Sequence, residues 1–197
     1  MKKALLLVCV LTISVISTAC INKFAVQELN NKAMVYMEKG DYEEAIHRLK
    51  SGIDLDDSIF ETHYNLAVAY TKVEDYVKAL NAYKKAIALN PDCADCYYSM
   101  AVAQESIITD LQSGELVVND EGEIVKNKAE DKDDDEEAKV KAHELSASEE
   151  ERVVELAKEA INNYNTYLEK SETVDNEEEI KDRISDLEKI VNGDEKD

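Results

Sequence analysis

The sequence predicts an all-α chain built as a solenoid of about three stacked helical hairpins, and three observations predict it. Helix breakers are scarce: 5 Gly and 1 Pro in 197 residues. Hydrophobic residues make up 44% of the chain, enough to bury a core, and Ala, Glu, Lys and Leu dominate the rest. Two segments, Val26 to Ile59 and Phe60 to Cys93, repeat one another at a spacing of 34 residues.

The N-terminus is set aside before the fold. Met1-Lys2-Lys3 is positive, Ala4 to Ile16 is an apolar run, and Ser17-Thr18-Ala19 is small and precedes Cys20. The pattern is a signal peptide over 1–19, too short to span a bilayer. With Cys20 directly after the cut it resembles a bacterial lipoprotein signal, although Ser17 stands where that pattern prefers Leu, Val or Ile. The resemblance implies a diacylglyceryl group on the Cys20 thiol and a chain anchored to a bacterial membrane. Residues 20–23 are then the lipidated Cys and a short tether. Ile21, where some inner-membrane lipoproteins have Asp, favours the outer membrane facing the periplasm if there are two membranes. With one membrane, the outer face of the cell membrane is expected. Ordinary signal-peptidase cleavage is the alternative, leaving a soluble exported chain with a free Cys20 thiol.

Residues 24–107 hold repeats one and two and the first helix of repeat three. Repeat two reads His63-x2-Leu66-Ala67-x2-Tyr70, then Ala79-x3-Tyr83, Ala86 and Pro91. Repeat one has Tyr36, Gly40-Asp41-Tyr42, Ala45 and Leu49, with Lys32, Ala33, Gly52 and Asp57 at the weaker positions. Each copy is two amphipathic helices broken at Lys39-Gly40-Asp41 or Val73-Glu74-Asp75, with small residues where helices approach closely. Asp92 is the expected N-cap after Asn90-Pro91. The pattern resembles the tetratricopeptide repeat. That resemblance implies a concave groove lined by the first helix of each hairpin, at Asn30, Met34 and Met37, at Tyr64, Val68 and Thr71, and at Tyr98, Val102 and Glu105. Some members of that family clamp a peptide carboxylate with Lys and Asn at these offsets. Met34, Val68 and Val102 replace the Asn here, so a Tyr- and Met-bearing apolar groove suits an apolar peptide or helix instead.

Repeat three starts at Ala94 with Tyr97, Met100 and Ala101, but an acidic insertion over 108–147 separates its helices. Within it, Glu115–Val118 and Glu123–Lys126 read as a hairpin over 115–126 with a four-residue loop, Asn119–Gly122. An isolated hairpin is marginal in water, so Leu116, Val118 and Ile124 need a surface, which is expected on the stack or across its groove. Asp133 to Glu137 is a run of five carboxylates. It does not make an EF-hand, because Glu136 and Ala142 stand where Gly and Glu are required counting from Asp131. The second helix of repeat three is expected at 148–171, with Ala160-x3-Tyr164. A capping helix is expected at 175–192, carrying Ile180, Ile184 and Leu187 at helical spacing.

The net charge is −21, and −23 once residues 1–19 with Lys2 and Lys3 are removed. Such a surface excludes nucleic acid and an anionic bilayer as electrostatic partners. Partners recruited by charge are basic. Cys93-x-x-Cys96 at a helix start has three readings: a structural role, a local disulfide, or redox or metal chemistry. A second C-x-x-C or His pair for zinc is missing from the sequence. His63 fills a core position, while His47 and His143 sit on polar faces. There is no phosphate loop, G-x-S-x-G or H-E-x-x-H, so no catalytic constellation, metal or cofactor is expected. The function expected is an adaptor that binds envelope proteins or peptides. The alternatives are a thiol-disulfide protein using Cys93 and Cys96, and a self-associating structural lipoprotein that forms homo-oligomers.

Overall fold

The computed structural model describes residues 22–127 and 143–193. The leader, Cys20 and the Asp133–Glu137 run lie outside the described residues. Helix α1 covers residues 22–38, starting two residues before Phe24, where the pattern places it. It is followed by α2 (Tyr42–Leu55), α3 (Phe60–Lys72), α4 (Tyr76–Leu89) and α5 (Ala94–Ser113). A two-stranded antiparallel sheet of β1 (Leu116–Val118) and β2 (Ile124–Lys126) comes next, then α6 (Ala147–Lys170) and α7 (Glu177–Asn192). Sequential helices pack antiparallel in one row: α2 on α3, α3 on α4, α4 on α5, α5 on α6 and α6 on α7.

The small-residue positions explain the close packing. Ala33, Ala45, Ala67, Ala79, Ala101 and Ala160 are fully buried, and Leu49, Tyr83, Leu156 and Tyr164 fill the space around them. Gly52 takes the second Ala position of repeat one because Thr62 crowds it; a Cβ there would lie 3.3 Å from Thr62 Cγ2. His63 is buried, and its Nε2–H donates to the Asp57 carbonyl at 2.8 Å.

The turns inside repeats one and two superpose in kind. Asp41 N–H donates to the Tyr36 carbonyl (2.9 Å), and Asp75 N–H to the Tyr70 carbonyl (3.0 Å), 34 positions later. Gly40 and Glu74 both adopt positive φ, 79° and 59°, the left-handed geometry that ends a helix.

Repeat three departs from the sequence reading in four places. First, α5 does not stop near residue 107. It runs to Ser113 because Ile107, Ile108 and Leu111 are buried, and it ends on Gly114 in the left-handed conformation (φ 83°). The insertion therefore begins at Gly114. Second, the N-cap of α5 is Cys93, not Asp92. Third, the hairpin loop has three residues rather than four. Asn119 N–H donates to the Glu123 carbonyl (2.9 Å), and Gly122 supplies the positive φ (79°) that closes Asp120–Gly122. Fourth, the hairpin packs on the stack, as expected, but its seat there is α5 and the start of α6 and not the groove. It faces the repeat-two turn, with Leu116, Ile124 and Val125 opposite Val73–Lys78. The outer bounds differ slightly: α6 lies one residue earlier at each end than expected, and α7 starts at Glu177 instead of residue 175.

The base of the insertion is closed. Asn127 Nδ2–H donates to the Gly114 carbonyl (2.9 Å), and the His143 ring lies against Gly114. Ser146 and Glu149 form a capping box that starts α6, and Glu149 Oε1 also accepts from Val118 N–H (3.3 Å). One buried carboxylate thus ties the hairpin to the helix that follows it.

Candidate interaction groove

The first helix of each hairpin (α1, α3, α5) supplies the candidate groove. On α3, Tyr64, Val68 and Thr71 fall at i, i+4 and i+7, one stripe of the helix, and all are half-buried. Tyr64 stacks on Phe60 (centroids 6.0 Å) and meets Tyr83 edge-on (6.3 Å). Thr71 Oγ1–H donates to the Ala67 carbonyl (3.0 Å) and lies 3.4 Å from the Tyr83 hydroxyl. On α5, Tyr98 and Val102 repeat the stripe, half-buried, with Tyr98 against Tyr164 (5.9 Å) and Tyr167 (5.2 Å). These ring contacts restrain Tyr64 and Tyr98, both half-buried, which pre-orders them at little entropic cost.

On α1 the expected residues divide. Met34 stands 43% exposed and Met37 is half-buried against the core. Asn30 does not line the groove. It is buried between α1 and α3, with Nδ2–H donating to Thr62 Oγ1 (2.8 Å) and to the Val26 carbonyl (3.2 Å). Its position on the stripe is as expected, but Thr62 reaches across and captures it.

Glu105 closes the far end of the stripe. Its Oε2 accepts from the Tyr164 hydroxyl (2.6 Å) and from Arg183 Nη1–H (2.7 Å). Burial and the adjacent Glu105 carboxylate push the Tyr164 phenol far above its usual range, so it stays a donor. Behind it, buried Gln104 receives a hydrogen bond from Asn163 Nδ2–H (2.8 Å) and donates to Glu159 (2.6 Å). These partners are 55 to 78 residues apart. The insertion breaks the repeat register between them, so only the Tyr164 match to the second-helix aromatic hinted at the pairing.

Cys93 and Cys96 are joined in a disulfide (S–S 2.04 Å) at the N-terminus of α5. Cys96 is fully buried and Cys93 half-buried, and Cys93 Sγ accepts from the Cys96 N–H (3.2 Å). Asp92 and Asp95 flank them in the sequence. Among the described residues no group of three His, Cys, Asp or Glu side chains is placed to hold a metal ion. Among the same residues no helix is long and apolar enough to cross a membrane.

Residues 60–93 match the family description Tetratricopeptide repeat, and residues 33–74 match TPR repeat. The chain carries tetratricopeptide repeats. No curated protein sequence matches it. Among solved structures it is similar to the first TPR of Spaghetti (RPAP3) bound to the HSP90 peptide SRMEEVD, at 16% identity and TM-score 0.56, covering 86% of this chain and 95% of that one. It is also similar to the second TPR domain of human RPAP3 in complex with the HSP70 peptide SGPTIEEVD (14%, TM-score 0.54, 85% and 98% covered). The Arabidopsis OM64 TPR domain is a third (13%, TM-score 0.56, 85% and 98%). At these identities the likeness concerns the fold, a helical-hairpin solenoid.

Proposed function

We propose that this protein is an exported adaptor of the bacterial cell envelope, anchored by lipid on Cys20, that holds a peptide or helix of another envelope protein in its repeat groove. The observation that carries the reading is the pair of matched stripes, Tyr64–Val68 and Tyr98–Val102, on neighbouring first helices. Each is half-exposed and backed by fixed rings. Tetratricopeptide repeats are interaction modules, and two of the similar structures hold peptides ending in Glu-Glu-Val-Asp. Those acidic tails are not the ligand proposed here. At the clamp offsets this chain has Met34, Val68 and Val102, and Arg183 is already spent on Glu105 and Glu179. An apolar helix pressed on Val68 and Val102 with Met34 adapting at one end fits better.

The test is site-specific photo-cross-linking in native membranes, with the cross-linker at Val68 or Val102 and, as control, at Lys84 on α4. A discrete envelope protein captured from positions 68 and 102 but not from 84 supports the reading. Equal capture from all three sites, or none from any, removes it. A second reading rests on the Cys93–Cys96 disulfide, of which Cys93 is half-buried: thiol-disulfide exchange with a partner dithiol.

A further inference from the structure

The large apolar side chains that stand in solvent among the described residues are Phe24 (77% exposed), Met34 (43%), Val35 (47%) and Leu55 (44%), all in the first hairpin. Met34 belongs to the groove. The other three do not. On α1 the buried stripe is Val26, Asn30 and Ala33, and at 100° per residue Phe24 and Val35 lie about 160–180° round the helix from it. Leu55 ends α2 beside the start of α1, where Asn22 Nδ2–H donates to its carbonyl (3.4 Å). The far end of the stack is finished differently. There α7 buries Ile180 and Leu187 and presents charged residues outward.

Charge is divided along the same axis. Residues 22–55 carry five cations against six carboxylates, a net of −1. The described residues beyond them, 56–127 and 143–193, carry eleven against 28, a net of −17. On α1, Lys32 pairs with Glu28 (3.2 Å). The neutral, apolar end is also the end where the leader joins: Ala4–Ile16 and Cys20 precede α1, and only Ile21 separates Cys20 from the helix.

We infer that the outward face of α1, with Phe24, Val35 and Leu55, rests on the lipid surface, so that the molecule stands on its first repeat and directs its acidic repeats away. This rests on the lipid anchor at Cys20. With a tether of one residue, roughly 3.3 Å long, α1 cannot leave the headgroup region. The only freedom left is orientation. A first hairpin of net −1 tolerates that position and the remaining described residues, of net −17, do not, because an anionic surface repels the latter over about a Debye length. A second copy fits the face less well. A stable dimer buries about 800 Å² per partner, more than three side chains provide, and it would bring two chains of −23 together. The membrane needs no such area, since the acyl chains supply the affinity and the face has only to be compatible.

The chain contains no Trp, so a single introduced Trp reports alone. The experiment uses the full-length lipidated protein reconstituted in vesicles of phosphatidylcholine and anionic phosphatidylglycerol doped with brominated lipid. Phe24→Trp and Val35→Trp are compared with Thr173→Trp, between α6 and α7. Emission from positions 24 and 35 should be quenched at least twofold more than from 173 and shifted to the blue. Equal quenching at all three sites, in protein that floats with the vesicles, overturns the orientation while leaving the anchor intact. The mass of the N-terminal peptide reads the anchor separately; an unmodified Cys20 overturns the anchor and this inference with it. A blue shift that grows with protein concentration without lipid assigns the face to a second copy and also overturns it.

Discussion

Replacing Glu74 with Gly should stabilise the protein. Glu74 is the only non-Gly residue with positive φ among the described residues, and its equivalent in repeat one, 34 positions earlier, is Gly40. Both turns make the same backbone bonds, so the geometry is imposed by the helix-to-helix connection and not by the side chain. An L-residue in this conformation costs about 1–2 kcal/mol. Gly removes that cost but returns about 0.4–1 kcal/mol through the freer unfolded chain. The net gain is about 0.5–1 kcal/mol, or about 1–4 °C in Tm for a chain of this size. A second contribution has the same sign. Burial first, then Glu115 and Glu74, push the Asp110 carboxyl up, so removing Glu74 relieves a like-charge contact. Glu74→Ala separates the two, keeping the strain and losing the charge. Thermal unfolding followed by far-UV circular dichroism is the assay. Glu74→Gly should melt higher than both wild type and Glu74→Ala, and Gly40→Glu should melt lower. If Glu74→Gly melts no higher than Glu74→Ala, the strain argument is wrong.

Two further outcomes follow from the structure. Cys93→Ser with Cys96→Ser opens a loop of four residues, which by chain entropy costs no more than about 2 kcal/mol; a thermal melt should fall by several degrees while groove cross-linking from Val68 persists, and loss of cross-linking with the fold intact would move function to the disulfide. Burial raises the Glu149 carboxyl, but the Ser146 amide and hydroxyl, the Val118 amide and His143 outweigh it, so its folded value lies below the ordinary one near 4.5. A depressed folded value means the contribution is complete above that pH and is lost as pH falls through the folded value. Chemical denaturation at pH 7 and pH 3 should therefore show a smaller acid loss for Glu149→Gln than for wild type, and equal losses would contradict the role given to this carboxylate.

The repeat core was legible because its signal is local. Ala67, Ala79, Tyr83 and Ala86 lie within one 34-residue unit, and each is buried where its offset requires. The groove was legible only in part. Helical spacing placed Asn30 on the right stripe, but its burial depends on Thr62, 32 residues away on another helix. The extension of α5 to Ser113 was missed because Ile107, Ile108 and Leu111 are also compatible with the start of an insertion. What decides for helix is the hairpin and α6 folding back to cover them. The network of Glu105, Tyr164 and Arg183 was beyond reach for the same reason. Its members are brought together only after a segment without repeat register has been bridged.

The two ends of the stack bear on function more than its middle does. A solenoid needs a polar cap at each end, because every internal repeat presents an apolar face to its neighbour. At the C-terminal end α7 meets that need: Ile180 and Leu187 are buried, Glu179 and Arg183 pair on the surface, and Arg183 reaches past α6 to Glu105. At the other end α1 has Phe24 and Val35 where a cap would have charge. The insertion is placed consistently with this asymmetry. It leaves the row at the turn between α5 and α6, docks beside the repeat-two turn, and is stapled at Gly114 by Asn127 and His143. The hairpin therefore sits at one edge of the row, against α5 and the start of α6 and away from the first helix. The exposed Phe24 and Val35 give that end an apolar surface, which is the surface the proposed lipid contact would use.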